Sequence, residues 1–417
     1  MKAFTIFTLV LTLLVLLLPA LAPAQDCSNL VWSTDPLTGF NVARLTSMPA
    51  SVPNAAGHNL GYYRDVWNAD ESYMIIVKQY SQADADTQVW LMTGGGCQIK
   101  QLWTLAQYSW VVAWDMTDPA IVWTSAPGTL YKVNVNTTPP TFTPVYTVPN
   151  GAIVMDIFPI SPTRLALATY DNQAITVNTD GTNPRFYPTS GVAEGAVMDR
   201  IFAVPGSSNQ FAMLVKVNPD TPQETRYDAT YDDSTSTLLH TFGPFHWGTP
   251  LEQHNTWDHE YFANGQAVYV NPMVINAGVM LYPIEMHIVN VDGTNDRMLY
   301  TSSSLTDWQN ARSVHHWFGN TLGWYLLSLN PVIGSTYDGR YRDQFLKVDA
   351  ATGSLTALGR NPTETISLQS DICGFWSLSL GNLNRRGDRI NFNSCRSGAT
   401  DNYILFLRGD AVRDTLR

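Results

Sequence analysis

The sequence predicts an all-β protein, a seven-bladed β-propeller of four-stranded antiparallel blades, and three observations predict it. A bulky residue followed by a turn and an alternating apolar strand recurs seven times along the chain. Interleaved with it is a second recurrent feature, a strand that runs into an Asp-Gly-type turn. Composition agrees: charged residues are 14% and aromatics 12%, with 13 Trp, 28 Gly and 24 Pro, the punctuation of many short strands. No stretch carries a helical period, which a helical solenoid would need, and a double sandwich would not yield seven similar units.

The first feature reads Trp67-Asn-Ala-Asp-Glu-Ser-Tyr-Met-Ile-Ile-Val, then again from Trp114, Phe158, Phe202, Trp257 and Trp317, with a weaker copy from Leu380 through Arg386-Gly387-Asp388 to Phe392. Spacings of 47, 44, 44, 55, 60 and 63 residues between these positions suit a four-stranded blade. The second feature is sharpest in the near copies Val177-Asn-Thr-Asp180-Gly181-Thr-Asn183-Pro-Arg185 and Val289-Asn-Val-Asp292-Gly293-Thr-Asn295-Asp-Arg297. Gly accepts a positive φ and Asp caps its own turn, so these pairs mark strand-to-strand turns. They lack the downstream Glu of a calcium loop, which favours turn-making over ion binding.

These residues resemble the TolB-type (WD40-like) bacterial propeller repeat, in which a Trp-Ser-Pro-Asp-Gly turn precedes a second turn built on Asp-Gly-x-Asn-x-Arg. The resemblance runs over nearly the whole chain after residue 24 and is sharpest in the third and fifth repeats. It implies the fold and leaves function open.

Residues 1–24 read as a cleaved secretion signal: Lys2, an apolar run from Phe4 to Leu18, then Ala22-Pro23-Ala24. The expected mature protein begins near Gln25, is secreted or periplasmic, and forms one propeller domain over residues 25–417. No later segment is apolar enough to insert into a membrane. A net charge of −11 argues against nucleic-acid partners. Four cysteines in an exported chain are expected to pair, and of three connectivities the favoured one joins Cys27 to Cys97 and Cys373 to Cys395. Closure of the ring by strands from both termini would make the first bridge a clasp. A monomer is expected.

In a propeller the innermost strand of each blade lines the channel, and it is expected just ahead of each anchor. Reading back gives Arg64 and Asp65, Trp110, Asp156, Asp199 and Arg200, Gln253, His254 and Asn255, and His315 and His316. Six of the eight histidines fall near the same stripe: His58, His246, His254, His259, His315 and His316. An individual histidine is most simply a satisfied structural side chain; a group of them also suits a metal or an acid–base site.

A second resemblance bears on these residues. Ala43-Arg44-Leu45-Thr46, His58-Asn-Leu-Gly-Tyr62-Tyr63 and Trp67-x-x-Asp70 look like the opening of the oligogalacturonate lyase propellers, and Gln253-His254-x-x-Trp257 is similar to that family's ligand-bearing segment. Here Asn255 stands where the family has Pro, and the Gln309 to His315 spacing is longer. The resemblance implies one divalent metal ion in the channel, with Gln253, His254, Gln309, His315 and His316 as candidate ligands. It also implies β-elimination on a uronic-acid glycan, with His58 or His315 as base, Tyr63 as acid and Arg64 or Arg200 holding the carboxylate. The competing expectation is a non-catalytic propeller that binds a glycan or protein partner through Asp65, Asp156, Asp199, Asn255 and Trp110. Serine-peptidase, Walker-loop and dinucleotide motifs are absent from the sequence.

Overall fold

The computed structural model describes residues 27–52, 55–59, 65–81, 83–109, 111–204, 209–219, 221, 223–247, 253–254, 260–261, 266–271, 273–276, 279–281, 284–302, 323–328, 344–360 and 381–407. For residues 245–286 and 300–302 that description is of the backbone. Among these residues the strands form eight antiparallel sheets, five of them four-stranded. The first blade comprises Ala56–His58, Tyr73–Gln79, Thr87–Thr93 and Gln98–Thr104; the second Val112–Trp114, Ile121–Ala126, Thr129–Asn134 and Thr141–Thr147. The third runs Val154–Ser161, Arg164–Thr169, Gln173–Asn178 and Arg185–Pro188, and the fourth Val197–Ala203, Gln210–Val217, Glu224–Asp232 and Thr237–Trp247. A further four-stranded sheet spans Glu260–Tyr261, Gln266–Asn271, Ile284–Asn290 and Arg297–Ser302, and another contains Trp324–Ser328, Gln344–Asp349 and Leu355–Arg360.

The packing makes these sheets a propeller. Ile75, Val77 and Trp103 of the first blade share a core with Val112, Val122 and Val133 of the second, and Trp123 of the second packs with Leu165 and Leu167 of the third. The third and fourth blades join through Phe158, Phe202 and Phe211, a cluster that reaches Val289 of the next sheet. Leu326 and Phe345 pack on Phe392 and Leu405 of the last sheet, whose other face, Ile404 and Phe406, packs on Trp67 and Ile76 of the first blade. Among the described residues the first, second, third and closing sheets thus pack on neighbours through both faces, and the closing sheet returns the succession to the first blade.

The ring closes with strands from both ends of the chain. Asn41–Arg44 pairs with Asp401–Phe406, with Val42 opposite Leu405, and Val31–Thr34 adds outside it, giving a five-stranded sheet completed by Arg389–Ser394 and Asn382–Leu383. The Cys27–Cys97 disulfide ties this N-terminal segment to the first blade, as the clasp reading requires. Cys395 is disulfide-bonded as well, and Cys373 lies outside the described residues. Across the same seam buried Glu71 accepts hydrogen bonds from Arg386 Nε (2.7 Å), Asn384 Nδ2 (2.8 Å) and Arg389 NH2 (3.3 Å).

The Asp-Gly turns are near copies in space too. Thr182 donates N–H and Oγ1–H to Asp180 Oδ1 at 2.9 and 2.6 Å, and Thr294 does the same to Asp292 at 3.0 and 2.6 Å. The glycines that follow have φ of +83° and +80°. A Cβ on Gly181 would stand 2.1 Å from the Val145 carbonyl oxygen of the preceding blade, and one on Gly353 would stand 1.9 Å from that of Leu299. The turn therefore joins blades as well as reversing the chain.

Candidate functional site

In the second, third and fourth blades the first strands touch one another, as strands lining an axis do. Asp156, Asp199 and Arg200 lie on such strands. In the first blade the order differs from the expectation: the innermost strand is Ala56–His58, and Asp65 comes after it. There Asp65 faces Arg385 at 3.3 Å, because the turn carrying it packs against the closing sheet. Gln253 and His254 form a short strand paired with Met273 and Val274 in a three-stranded sheet apart from the 260–302 blade. Tyr63, Arg64, Trp110, Asn255, Gln309, His315 and His316 lie outside the described residues.

His58 belongs to the wall. It is buried, its Nδ1 is 2.7 Å from the Asn59 carbonyl, and burial lowers its pKa to about 4 despite that hydrogen bond. The imidazole is therefore neutral at pH 7 and enclosed. Beside it, Asn59 N–H donates to Asn393 Oδ1 (3.1 Å), and Asn402 Nδ2 reaches both Asn391 and Asn393 (3.0 and 2.9 Å). This amide cluster fills the seam between the first blade and the closing sheet. Asp156 is likewise buried, and its Oδ1 accepts from Ile157 N–H at 3.1 Å.

The partly open polar group is on the fourth blade. Lys216 Nζ is 2.5 Å from Asp199 Oδ1, and Arg200 Nε is 3.3 Å from Asp199 Oδ2. Burial opposes ionisation of Asp199, but the charges of Arg200 and Lys216 outweigh it and hold the carboxyl below its ordinary pKa. Arg226, opposite Lys216 in the ladder, pairs with Glu224 at 2.6 Å. Arg200 and Lys216 keep side-chain exposures of 15% and 21%, enough to present donors to a ligand. Among the described residues Arg200, Lys216 and Arg226 are thus each paired with a carboxylate, so the group offers directed hydrogen bonds.

Sequence reasoning found Asp199 and Arg200 and missed Lys216, Arg226 and Glu224, which come from the second and third strands. It also missed Tyr170 and Tyr80. Both follow the second strands of their blades, and Lys216 is the penultimate residue of its own, so all three sit at the same end of those strands. Tyr170 is 67% exposed, beside exposed Ile153, whose carbonyl accepts its N–H at 3.1 Å. A signal was available in the first, third and fourth repeats: a polar or aromatic residue at or just beyond the end of the second strand, Tyr80, Tyr170 and Lys216.

Among the described residues no three His, Cys, Asp or Glu side chains converge as metal ligands, and no helix is long and apolar enough to cross a membrane.

Fold and site together define a β-propeller with a polar group on its axis-facing strands. No known protein family matches the chain, and no curated protein matches it in sequence. Solved structures do. Oligogalacturonate lyase in complex with manganese superposes with a TM-score of 0.62 at 14% identity, over 92% of this chain and 97% of the other. Oligogalacturonate lyase from Vibrio parahaemolyticus gives 0.61 at 12% identity, over 91% and 96%. U3-55K also covers 92% of the chain, with a TM-score of 0.52 at 8% identity. At these identities the likeness is one of fold.

Proposed function

We propose that this chain is an exported, seven-bladed propeller that binds a glycan at the face formed by Tyr170, Lys216, Arg200 and Asp199. The observation that carries the reading is the ion-paired Asp199–Arg200–Lys216 group, one carboxylate between two cations, on the same face as an exposed tyrosine. Sugar recognition uses this pairing: an aromatic face stacks on the apolar side of a pyranose while paired donors and acceptors take its hydroxyls. A Cys27–Cys97 bridge suits an oxidising compartment, and the leader-like residues 1–24 fit export. The test is retention on immobilised neutral and anionic polysaccharides, comparing wild type with Lys216→Ala and Tyr170→Ala. Retention weakened in both variants supports the reading; a wild type retained by none of the matrices sinks it.

The likeness to oligogalacturonate lyases favours a second reading, elimination on a uronic-acid glycan. A divalent ion held by Gln253, His254, Gln309, His315 and His316 would neutralise the sugar carboxylate, and the imidazole and amide donors in that set suit such an ion. Arg200 would add to the carboxylate's binding and Tyr63 would protonate the leaving oxygen; because His58 is enclosed, His315 would act as base in the arrangement where Gln253, His254, Gln309 and His316 hold the ion and His315 does not. Elemental analysis of protein purified without chelator, beside His254→Ala and His315→Ala, tests the metal; unsaturated products from anionic polysaccharides test the chemistry. Metal-free wild type that yields no such products leaves the binding reading alone.

A further inference from the structure

Outer strands of a propeller are sheet edges, and this chain blunts them. Gln98–Thr104 carries register shifts and Lys100; Thr141–Thr147 has a shift at Pro144. Arg185–Pro188 is short, with Arg and Pro at its ends. Thr237–Trp247, Arg297–Ser302 and Leu355–Arg360 are each broken by a register shift. Charges, prolines and bulges of this kind prevent edge-to-edge pairing.

The outermost strand of the closing sheet has none of them. Val31–Thr34 pairs with Asn41–Arg44 in unbroken register, contains neither charge nor proline, and has all four residues exposed, Val31 at 49%. Asp35 N–H donates to the Phe40 carbonyl at 2.7 Å. The alternation of an antiparallel ladder then turns the backbone groups of Val31 and Ser33 inward and those of Trp32 and Thr34 toward the free edge. Two outward N–H groups and two outward carbonyls stand ready for another strand.

The surrounding charge says which strand. Arg44 lies opposite Val31 and is paired with Asp401 at 3.8 Å, so among the described residues the cations left to the edge are Arg396 and Arg360. Arg396 donates to Ser33 Oγ at 3.0 Å, and Arg360 is exposed beside Asp35. The nearby carboxylates are buried and engaged: Asp35 accepts from Arg360 N–H, and Asp401 from Thr46, Met48 and Ser397. On a chain of net charge −11, this edge is locally basic. A second copy fits poorly, because a two-fold axis would set arginines against arginines, and four residues bury far less than the roughly 1,200 Å² of a stable interface.

We propose that Val31–Thr34 is a docking edge that adds an extended, acidic segment of a partner protein as a further strand of the closing sheet. Main-chain hydrogen bonds would supply affinity and the arginines the selection. The probe is a fluorescein-labelled hexapeptide, Glu-Val-Thr-Val-Thr-Glu, titrated by anisotropy beside its Lys-flanked counterpart. Thr34→Pro removes one outward N–H and leaves the inward bonds intact; Arg396→Ala removes a cation from the exposed rim. Saturable binding of the acidic peptide is expected, weaker by about tenfold in Thr34→Pro, the upper worth of one hydrogen bond plus its steric block. Arg396→Ala should weaken it less, and the Lys-flanked peptide should bind worst. Circular dichroism and melting of both variants should match wild type. Equal binding to Thr34→Pro, equal binding of both peptides, or no binding would each overturn the proposal. So would sedimentation showing a wild-type dimer that Thr34→Pro dissolves, since the edge would then serve a second copy.

Discussion

Removing the Cys27–Cys97 bridge, by Cys27→Ala with Cys97→Ala, should cost this propeller about 4 kcal/mol. The two cysteines are 70 residues apart, and cross-linking a loop of that length lowers the entropy of the unfolded chain by roughly 15 cal/mol/K. For a chain of this size, unfolding entropy near the melting point is roughly 0.8 kcal/mol/K, so the transition should fall by about 5 °C. The loop contains both N-terminal strands of the closing sheet, so the lost restraint falls on the seam where the ring opens. Scanning calorimetry of the oxidised wild type, the reduced wild type and the double variant checks this; reduction also opens the Cys395 bridge, so the reduced protein should melt at or below the double variant. Deletion of residues 25–40 should lower the melt further, since it also removes Val31–Thr34 while keeping Asn41–Arg44. An unchanged melt in all three altered proteins would mean the ring does not unfold through its seam, and the clasp argument would fail.

Gly353→Ala should destabilise by more than about 2 kcal/mol, because φ there is +70° and the new Cβ would meet the Leu299 carbonyl; Gly39→Ala, strained in φ but in open space, should cost less in the same urea titration. His58 has a folded pKa near 4 against 6.5 unfolded, so the unfolded state takes up the proton first. Stability is full above pH 6.5 and falls as pH drops toward 4, by about 3 kcal/mol; His58→Asn should flatten that slope in chemical denaturation at pH 7 and 4.5. Asp233 is a buried hub for Arg164, Thr176 and Tyr187, and although burial opposes its charge, these partners hold its pKa below 3.8. Its contribution is present above that value and is lost in stronger acid, so Asp233→Asn should destabilise at pH 7 and matter less as the pH falls below 3.8.

Much of the architecture was readable because a blade repeats its physics locally. Asp180-Gly181 and Asp292-Gly293 encode their turns within a few residues, and the two turns make the same hydrogen bonds. The anchors were less uniform. Phe158 and Phe202 sit inside their first strands, Trp114 ends one, and Trp67 makes an isolated bridge to Met74 while its indole N–H donates to the Gly94 carbonyl. Counting back from the anchor therefore found Asp199 and Arg200 but misplaced Asp65. Lys216, Arg226 and Tyr170 escaped because their relation to Asp199 exists across strands and blades, and a single-strand reading carries no such information. His58 was singled out for its chemistry; its enclosure by amides from residues 391–402 is a long-range fact.

The glycine joints also bear on how such a fold drifts. Where Gly181 meets Val145 and Gly353 meets Leu299, one blade touches the next through main chain, and any side chain on the carbonyl-bearing partner leaves that contact available. The angular step around the axis is then set by peptide geometry and a few obligatory glycines, while the apolar residues between sheets are free to exchange for others of similar volume. A ring assembled on such spacers keeps its outline after most of its letters have changed, which is how a chain 14% identical to another can overlay it across nearly its whole length.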